Sequence, residues 1–193
     1  MGKTTDPMNS VIEDVERELL QIENRIESLN KESTSGSIQI VEEEVTKKLE
    51  VIGSRIPKLE SQRPSHESLK NEYGRHYEAY KAIIDVHLSD VAKSEEQLSR
   101  CSNYLQKHLE NHKQILKCLQ TNQMKLEYAA SLLESHPETL LDAKRRLEQL
   151  NNRLAEKISN TTELSKRIAR LSNDASSYKT KLQSLVEEPA RAE

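Results

Sequence analysis

Residues 140–185 read LLDAKRRLEQLNNRLAEKISNTTELSKRIARLSNDASSYKTKLQSL, and the spacing of their apolar members decides the fold. Stepping alternately by three and four gives Leu140, Ala143, Leu147, Leu150, Leu154, Lys157, Thr161, Leu164, Ile168, Leu171, Ala175, Tyr178, Leu182 and Leu185. Only Lys157 and Thr161 interrupt the row. A seven-residue apolar repeat keeps one stripe of an α-helix turned toward the same partner, because a 3.5-residue spacing follows the supercoil instead of drifting around the axis. The stripe is unfavourable in water, so a second helix must cover it.

The segment just before this stretch says where that helix comes from. Ser135-His136-Pro137-Glu138 combines capping-box spacing with a proline in the first turn, which separates a helix over 138–188 from a long central helix over 65–134. A connection this short favours an antiparallel hairpin, with a continuous kinked rod as the alternative. In the central helix every seventh residue from Tyr77 gives Ile84, Val91, Leu98, Leu105, His112, Leu119, Leu126 and Leu133. The companion row is mixed: His87, Ser94, Cys101, His108, Ile115, Asn122 and Ala129. One strong row beside a polar one predicts loose packing, with contacts rotated toward Leu88, Leu109 and Leu116. Unbroken, such a helix is roughly 100 Å long.

Two shorter helices precede it. Asp6-Pro7 reads as an N-cap followed by proline at the first helical position, so residues 1–6 are expected to be disordered and the first helix to span 7–32. Its row is Met8, Ile12, Val15, Leu19, Ile22, Ile26 and Leu29, with acids crowding the early turns where the helix dipole favours them. Small hydroxyl residues and glycine make 33–37 a linker. A second helix over 38–63 carries Ile38, Val41, Val45, Leu49, Ile52, Ile56 and Leu59, and a kink or break is expected at Gly53-Pro57. The tail, 189–193, is expected to be mobile.

Composition agrees with helices that bury narrow stripes. The chain of 193 residues is 34% hydrophobic and 32% charged, with no Trp or Phe to fill a broad globular core. A net charge of −3 with interleaved signs leaves no electrostatic footprint for nucleic acid. No apolar run approaches the roughly 20 residues of a membrane span. Cys101 and Cys118 lie about 25 Å apart on one helix and cannot bridge each other. Unpaired thiols and the lack of a visible secretory signal suggest a reducing, intracellular setting.

No motif carries chemistry. Gly2-Lys3-Thr4-Thr5 resembles the tail of a phosphate loop but lacks the first glycine and the preceding strand, and Asp6 stands where N-myristoylation needs Ser or Thr. His108 and His112 share a helical face at metal-ligand spacing, yet Leu109 occupies the position a zinc protease fills with Glu, so they read as surface or seam histidines and no metal is assigned. Asn160-Thr161-Thr162 matches a glycosylation acceptor by chance within a helix. Tyr73, Tyr77 and Tyr80 could anchor a partner, but packing on the second helix is the simpler account. With no catalytic set, cofactor motif or concave site, the chain reads as a non-enzyme with no catalytic or cofactor-binding residues.

The order of these parts resembles dynactin subunit 3, the small helical subunit of the dynactin shoulder. The likeness rests on residues 15–29, the small-residue linker at 33–37, Val51-Ile52-Gly53-Ser54-Arg55-Ile56, and Leu171-Ser172 with Tyr178, Leu182 and Leu185. It implies a cytoplasmic, cytoskeleton-associated subunit that bundles with dynamitin and the large arm subunit in the complex linking dynein to cargo and microtubules.

The sequence thus predicts an all-α protein, an extended coiled coil or antiparallel helical hairpin bundle, acting as a structural subunit of a multi-protein assembly. The residues expected to face partner helices are Ile12, Val15, Leu19, Ile22, Ile26, Leu29, Leu147, Leu150, Leu154, Leu164, Ile168, Leu171, Tyr178, Leu182 and Leu185. A vesicle-tethering or fusion subunit would share these heptads. A membrane-shaping helical dimer would need a basic face. Whether the seams are filled within the chain, by a second copy or by other subunits is left open by periodicity alone.

Overall fold

The protein is described by a computed structural model covering residues 2–31, 35–63 and 74–191, with side chains at 7–29, 37–63 and 77–186. It contains helices α1 (Gly2–Lys31), α2 (Ser35–Ser61), α3 (Gly74–Leu132) and α4 (Glu138–Arg191), and no strand among the described residues. The all-α class expected from the heptads is therefore present.

Several boundaries differ from the sequence reading. α1 starts at Gly2, so residues 2–6 are helical and Pro7 lies inside the helix. Pro7 deletes only the bond to the Lys3 carbonyl, in a terminal turn where few such bonds exist, so the cap signal at Asp6 does not force a start. α2 takes in Ser35, Gly36 and Ser37 from the expected linker and runs without a break through Gly53 and Pro57 to Ser61. The bond missing at Pro57 is the one to the Gly53 carbonyl, and the tertiary packing of both flanks outweighs its loss. At the end of α2 the Gln62 N–H and the Ser61 hydroxyl both donate to the Lys58 carbonyl, at 2.9 and 2.8 Å. α4 continues through Pro189 to Arg191 instead of stopping near Glu188. The expected start of the central helix at residue 65, and residues 32–34 of the first helix and linker, lie outside the described residues.

The connection between α3 and α4 is short, and its backbone groups are used. The Leu133 N–H donates to the Ala129 carbonyl at 3.2 Å, and Nε2 of His136 lies 3.3 Å from the Ala130 carbonyl, so the imidazole donates to a last-turn acceptor of α3. The Leu140 and Leu141 amides donate to the Pro137 carbonyl at 3.0 and 3.3 Å, opening α4.

The chain divides into two units: unit 1 comprises Met1–Ser33 with Leu105–Leu164, and unit 2 comprises Thr34–Tyr104 with Ser165–Glu193. Each unit combines one short helix with a part of α3 and a part of α4. In unit 1, Ile12, Val15, Leu19, Ile22 and Ile26 of α1 pack with Ile115, Leu119, Leu126 and Ala129 of α3 and Leu140, Ala143, Leu147, Leu150 and Leu154 of α4 in one buried cluster. Full burial of one such aliphatic side chain is worth about 1.5–3 kcal/mol, so the cluster is the main stabilising term of this unit.

In unit 2, cross-helix contacts fix the directions of the helices. Lys179 of α4 lies 3.6 Å from Glu95 of α3, and the Tyr77 hydroxyl of α3 donates to the Val186 carbonyl of α4 at 3.4 Å. Advancing along α3 therefore means moving back along α4, as in an antiparallel pair. α2 runs with α4: Arg167 Nε donates to the Glu42 carboxylate at 2.9 Å, and further along both helices Gly53 meets Tyr178. The Tyr80 hydroxyl donates to the Leu59 carbonyl at 2.7 Å, tying α3 to the end of α2.

Gly53 has a specific packing role there. A β-carbon at this position would lie 2.6 Å from the Tyr178 hydroxyl oxygen and 2.9 Å from the ring carbon that bears it. The glycine is thus a seat for the tyrosine, which explains a residue that the sequence alone presents as a helix breaker.

Candidate partner-helix interface

The residues expected to face partner helices are mostly covered by this chain itself. In unit 1 Ile12, Val15, Leu19, Ile22, Ile26, Leu147, Leu150, Leu154 and Leu164 are buried, and Leu29 is half-buried against the same core. In unit 2 Ile168, Leu182 and Leu185 are buried, with Leu171 and Tyr178 half-buried. These side chains are covered by helices of the same chain and form its core. The physical reason is supply: each unit brings three apolar stripes of its own, and three stripes close on one another without a fourth.

The polar row of α3 stays in the core. His87, Ser94, Cys101, Ile115, Asn122 and Ala129 are all buried, whereas Leu88, Leu109 and Leu116 are half-buried. Leu116 packs against the edge of the unit 1 core, but the helix does not turn wholly onto these leucines, because that would expose Ile84, Val91, Leu98, Leu119 and Leu126 of the strong row. The helix keeps the better row buried and takes the polar side chains in with it. Asn122 donates to the Cys118 carbonyl of its own helix at 2.8 Å, but both ring nitrogens of His87 and the Ser94 hydroxyl have no hydrogen-bond partner. Burial, reinforced by the Arg55 guanidinium and opposed by Asp90, holds the His87 pKa below the usual imidazole value of 6.5.

One interruption from each strong row, Lys157 of α4 and His112 of α3, falls in unit 1, as does Thr161 of α4. Lys157 breaks the row of α4 and His112 breaks that of α3, and each has a buried nitrogen with no hydrogen-bond partner, Nζ and Nδ1 respectively. Burial lowers the His112 pKa, and the positive charges of His108 and Lys157 lower it further. Burial followed by the Arg153 charge lowers that of Lys157. The His108 and His112 rings lie 5.8 Å apart, centroid to centroid, tilted by 46°. No group of three or more His, Cys, Asp or Glu side chains that could hold a metal converges among the described residues.

The other motifs resolve as follows. Tyr80 is buried against α2, and burial raises its pKa above 10.0, while Tyr77 reaches α4 and Tyr73 lies outside the described residues. Cys101 is buried, with its pKa raised by burial, and Cys118 is exposed; both thiols are free. A shallow groove of unit 1, about 450 Å³, is lined by Glu16 of α1 and by Asp142, Ala143, Arg145, Arg146 and Gln149 of α4, and Arg145 already pairs with Asp142 at 3.4 Å. No helix among the described residues is long and apolar enough to cross a membrane.

What remains on the surface is a stripe that heptad reading passes over. Met124, Tyr128 and Leu132 of α3 are 70%, 61% and 54% exposed. Spaced by four, they form one row along the helix. Met124 and Tyr128 each stand two residues from buried Leu126, about 200° around the axis, so the row faces away from the core. The signal was in the sequence as a third apolar row on a helix whose other two rows already account for its core. The other exposed large hydrophobics among the described residues, Leu20 and Leu141 in unit 1 and Ile40, Val51, Ile83 and Val86 in unit 2, stand singly or, for Ile83 and Val86, as a pair. The chain has no significant match to any family model, curated protein or solved structure.

Proposed function

We propose that this chain is a non-enzymatic structural subunit of a multi-protein helical assembly, and that it docks a partner helix on the Met124–Tyr128–Leu132 row of unit 1. The observation that carries this reading is the row itself: three large apolar side chains, all more than half exposed, at the anchor spacing used when helix packs on helix. Scattered single exposures are ordinary on protein surfaces, whereas a contiguous row is a binding surface in waiting. Tyr128 is the central anchor, since a tyrosine supplies a broad apolar face with a polar tip at low entropic cost.

The resemblance to dynactin subunit 3 gives this proposal a specific form. Two of its pieces, Gly53 and Tyr178, pack directly on each other, which supports reading them as parts of one structural unit. On this reading the partners are dynamitin and the large dynactin arm subunit, and the protein works in the cytoplasm on the cytoskeleton. The test is co-elution of the full chain with purified dynamitin and the large arm subunit in size-exclusion chromatography. The wild-type chain is expected to co-elute. The Met124→Ser, Tyr128→Ser, Leu132→Ser triple variant is expected to fold with unchanged thermal midpoint and to elute alone. Failure of the wild type to bind contradicts the dynactin assignment, and equal binding by the triple variant contradicts the docking row.

A further inference from the structure

Toward the start of α3 the exposed row of unit 1 continues as charge. Lys113 and Lys117 are exposed, and each stands two residues before a buried side chain, Ile115 and Leu119, as Met124 does before Leu126. That offset is about 200° around the axis, so all three point away from the core on one face. Lys117 precedes Met124 by seven residues and Tyr128 by eleven, which brings it within about 20° of both. The hydroxyls beside the row make no demand on a partner, because Thr121 donates to the Lys117 carbonyl at 3.1 Å and Ser131 to the Tyr128 carbonyl at 2.7 Å. The outer face of α3 over 113–132 is thus basic at one end and apolar at the other.

The charge on this face has one sign. Over 113–132 the sequence holds Lys113, Lys117, Lys125 and a single acid, Glu127, which lies about 100° around the axis from Tyr128 and accepts from Gln123 at 3.2 Å. The chain as a whole leans the other way, with 32 Asp and Glu against 29 Lys and Arg. Neither Lys113 nor Lys117 has an ion-pair partner among the described residues. Lys125 shows how a lysine beside the row is used: its ammonium lies 3.6 Å from the Glu18 carboxylate of α1. α1 is itself an acidic amphipathic helix, with six acids against two arginines over 7–29 and its apolar row in the core of the unit. Lys113 and Lys117 lie about 120° and 80° around the axis from Lys125, turned away from that contact.

We propose that the occupant of the Met124–Tyr128–Leu132 row is an acidic amphipathic helix of a partner protein, which sets apolar side chains on the row and carboxylates on Lys113 and Lys117. This inference rests on the docking row proposed for unit 1 and adds the charge and direction of what binds there. Apolar contact supplies adhesion, and the two lysines select direction, because only one orientation of the partner brings its acids to the basic end. From Lys113 to Leu132 the surface is about 30 Å long, so the partner helix has about five turns. A lipid surface fits less well, since a helix held at a membrane buries a broad apolar face and this one offers a single row of three.

The test titrates the full chain into two fluorescent synthetic peptides, helical and about 20 residues long, and follows their anisotropy. Both carry three leucines spaced by four to match the row. One has glutamates seven and eleven residues from the nearest leucine, the other has lysines at the same places, and each is made in both directions. The wild-type chain is expected to bind the glutamate peptide in one direction, about tenfold or more tightly than the lysine peptide, and to lose that preference in high salt. Lys113→Glu combined with Lys117→Glu, at two exposed positions, is expected to invert the preference. The Met124→Ser, Tyr128→Ser, Leu132→Ser variant is expected to bind neither peptide. Equal binding of the two peptides by the wild type, or binding of neither, overturns the acidic partner. Equal binding that the triple variant abolishes leaves the docking row standing, whereas peptide binding that survives the triple variant removes the row as well. Flotation with vesicles of phosphatidylserine and phosphatidylcholine that is lost on the double substitution also overturns the proposal, in favour of a membrane surface.

Discussion

The two units are built from the same parts and solve the packing problem differently. Unit 1 closes on an aliphatic cluster drawn from α1, α3 and α4, with His112 and Asn122 of α3 buried along with it. Unit 2 also buries two polar side chains of α3, but its helices are tied together by more directional contacts among the described residues. Its share of α3 brings His87, Ser94 and Cys101 into the core, and directional contacts compensate: Tyr80 to the Leu59 carbonyl, Tyr77 to the Val186 carbonyl and Arg167 to Glu42. The lesson is that a heptad row tolerates polar members when the neighbouring row is strong enough to hold the register, and that hydrogen bonds then supply specificity which apolar contact does not.

This contrast can be broken most forcefully in the cores. Leu19→Asp in unit 1 and Ile168→Asp in unit 2 each put a carboxylate at a position with 0% exposure, and each is expected to cost about 4 kcal/mol or more. Hydrogen exchange read by mass spectrometry is expected to show lost amide protection concentrated in the substituted unit. Uniform loss over both units in both variants would mean that the chain opens as one cooperative body.

The next largest effect is pH. His87 and His112 have folded pKa values below 6.5, so between the folded value and 6.5 the unfolded chain binds more protons. Stability is therefore unaffected by these groups above 6.5 and falls as pH is lowered through that value, by at most about 1.4 kcal/mol per pH unit for each histidine. Chemical denaturation across this range is expected to show the loss, and His87→Leu and His112→Leu are each expected to remove a part of it. Lys157 contributes in the alkaline range: its lowered pKa means that stability rises as pH climbs from the folded value toward 10.5.

The smallest effect sharpens the account of unit 2. Alanine favours a helix interior by about 1 kcal/mol over glycine, so Gly53→Ala is expected to stabilise the Tyr178→Ala background by about that amount. In the wild-type background the new methyl meets the Tyr178 ring, and the gain is expected to vanish or reverse. A double-mutant cycle by urea denaturation measures the difference, and a zero coupling would remove the seat-and-ring account.

Much of this architecture was legible in the sequence because burial at period seven leaves its mark on every helix that uses it. The rows through Ile12, Leu19, Ile84, Leu98, Leu154 and Ile168 could be read directly, and so could the turn at Pro137. What could not be read is which residues meet across helices. Gly53 looks like a breaker until Tyr178, far along the chain, is found against it. Nor does a heptad reveal its own partner: the same row serves a self-filled core or an intermolecular seam. The exposed row at Met124, Tyr128 and Leu132 was passed over for the complementary reason, since attention to the buried rows hides an exposed one.

The central claim is that the chain fills its own seams. Sedimentation equilibrium of the isolated protein over a broad range of dilution, with helicity followed in parallel, tests it most directly. The account predicts one species of 22.2 kDa that keeps its helical signal on dilution. A mass of two or more chains, or helicity that disappears as the protein is diluted, would show that the leucine rows are closed by another molecule.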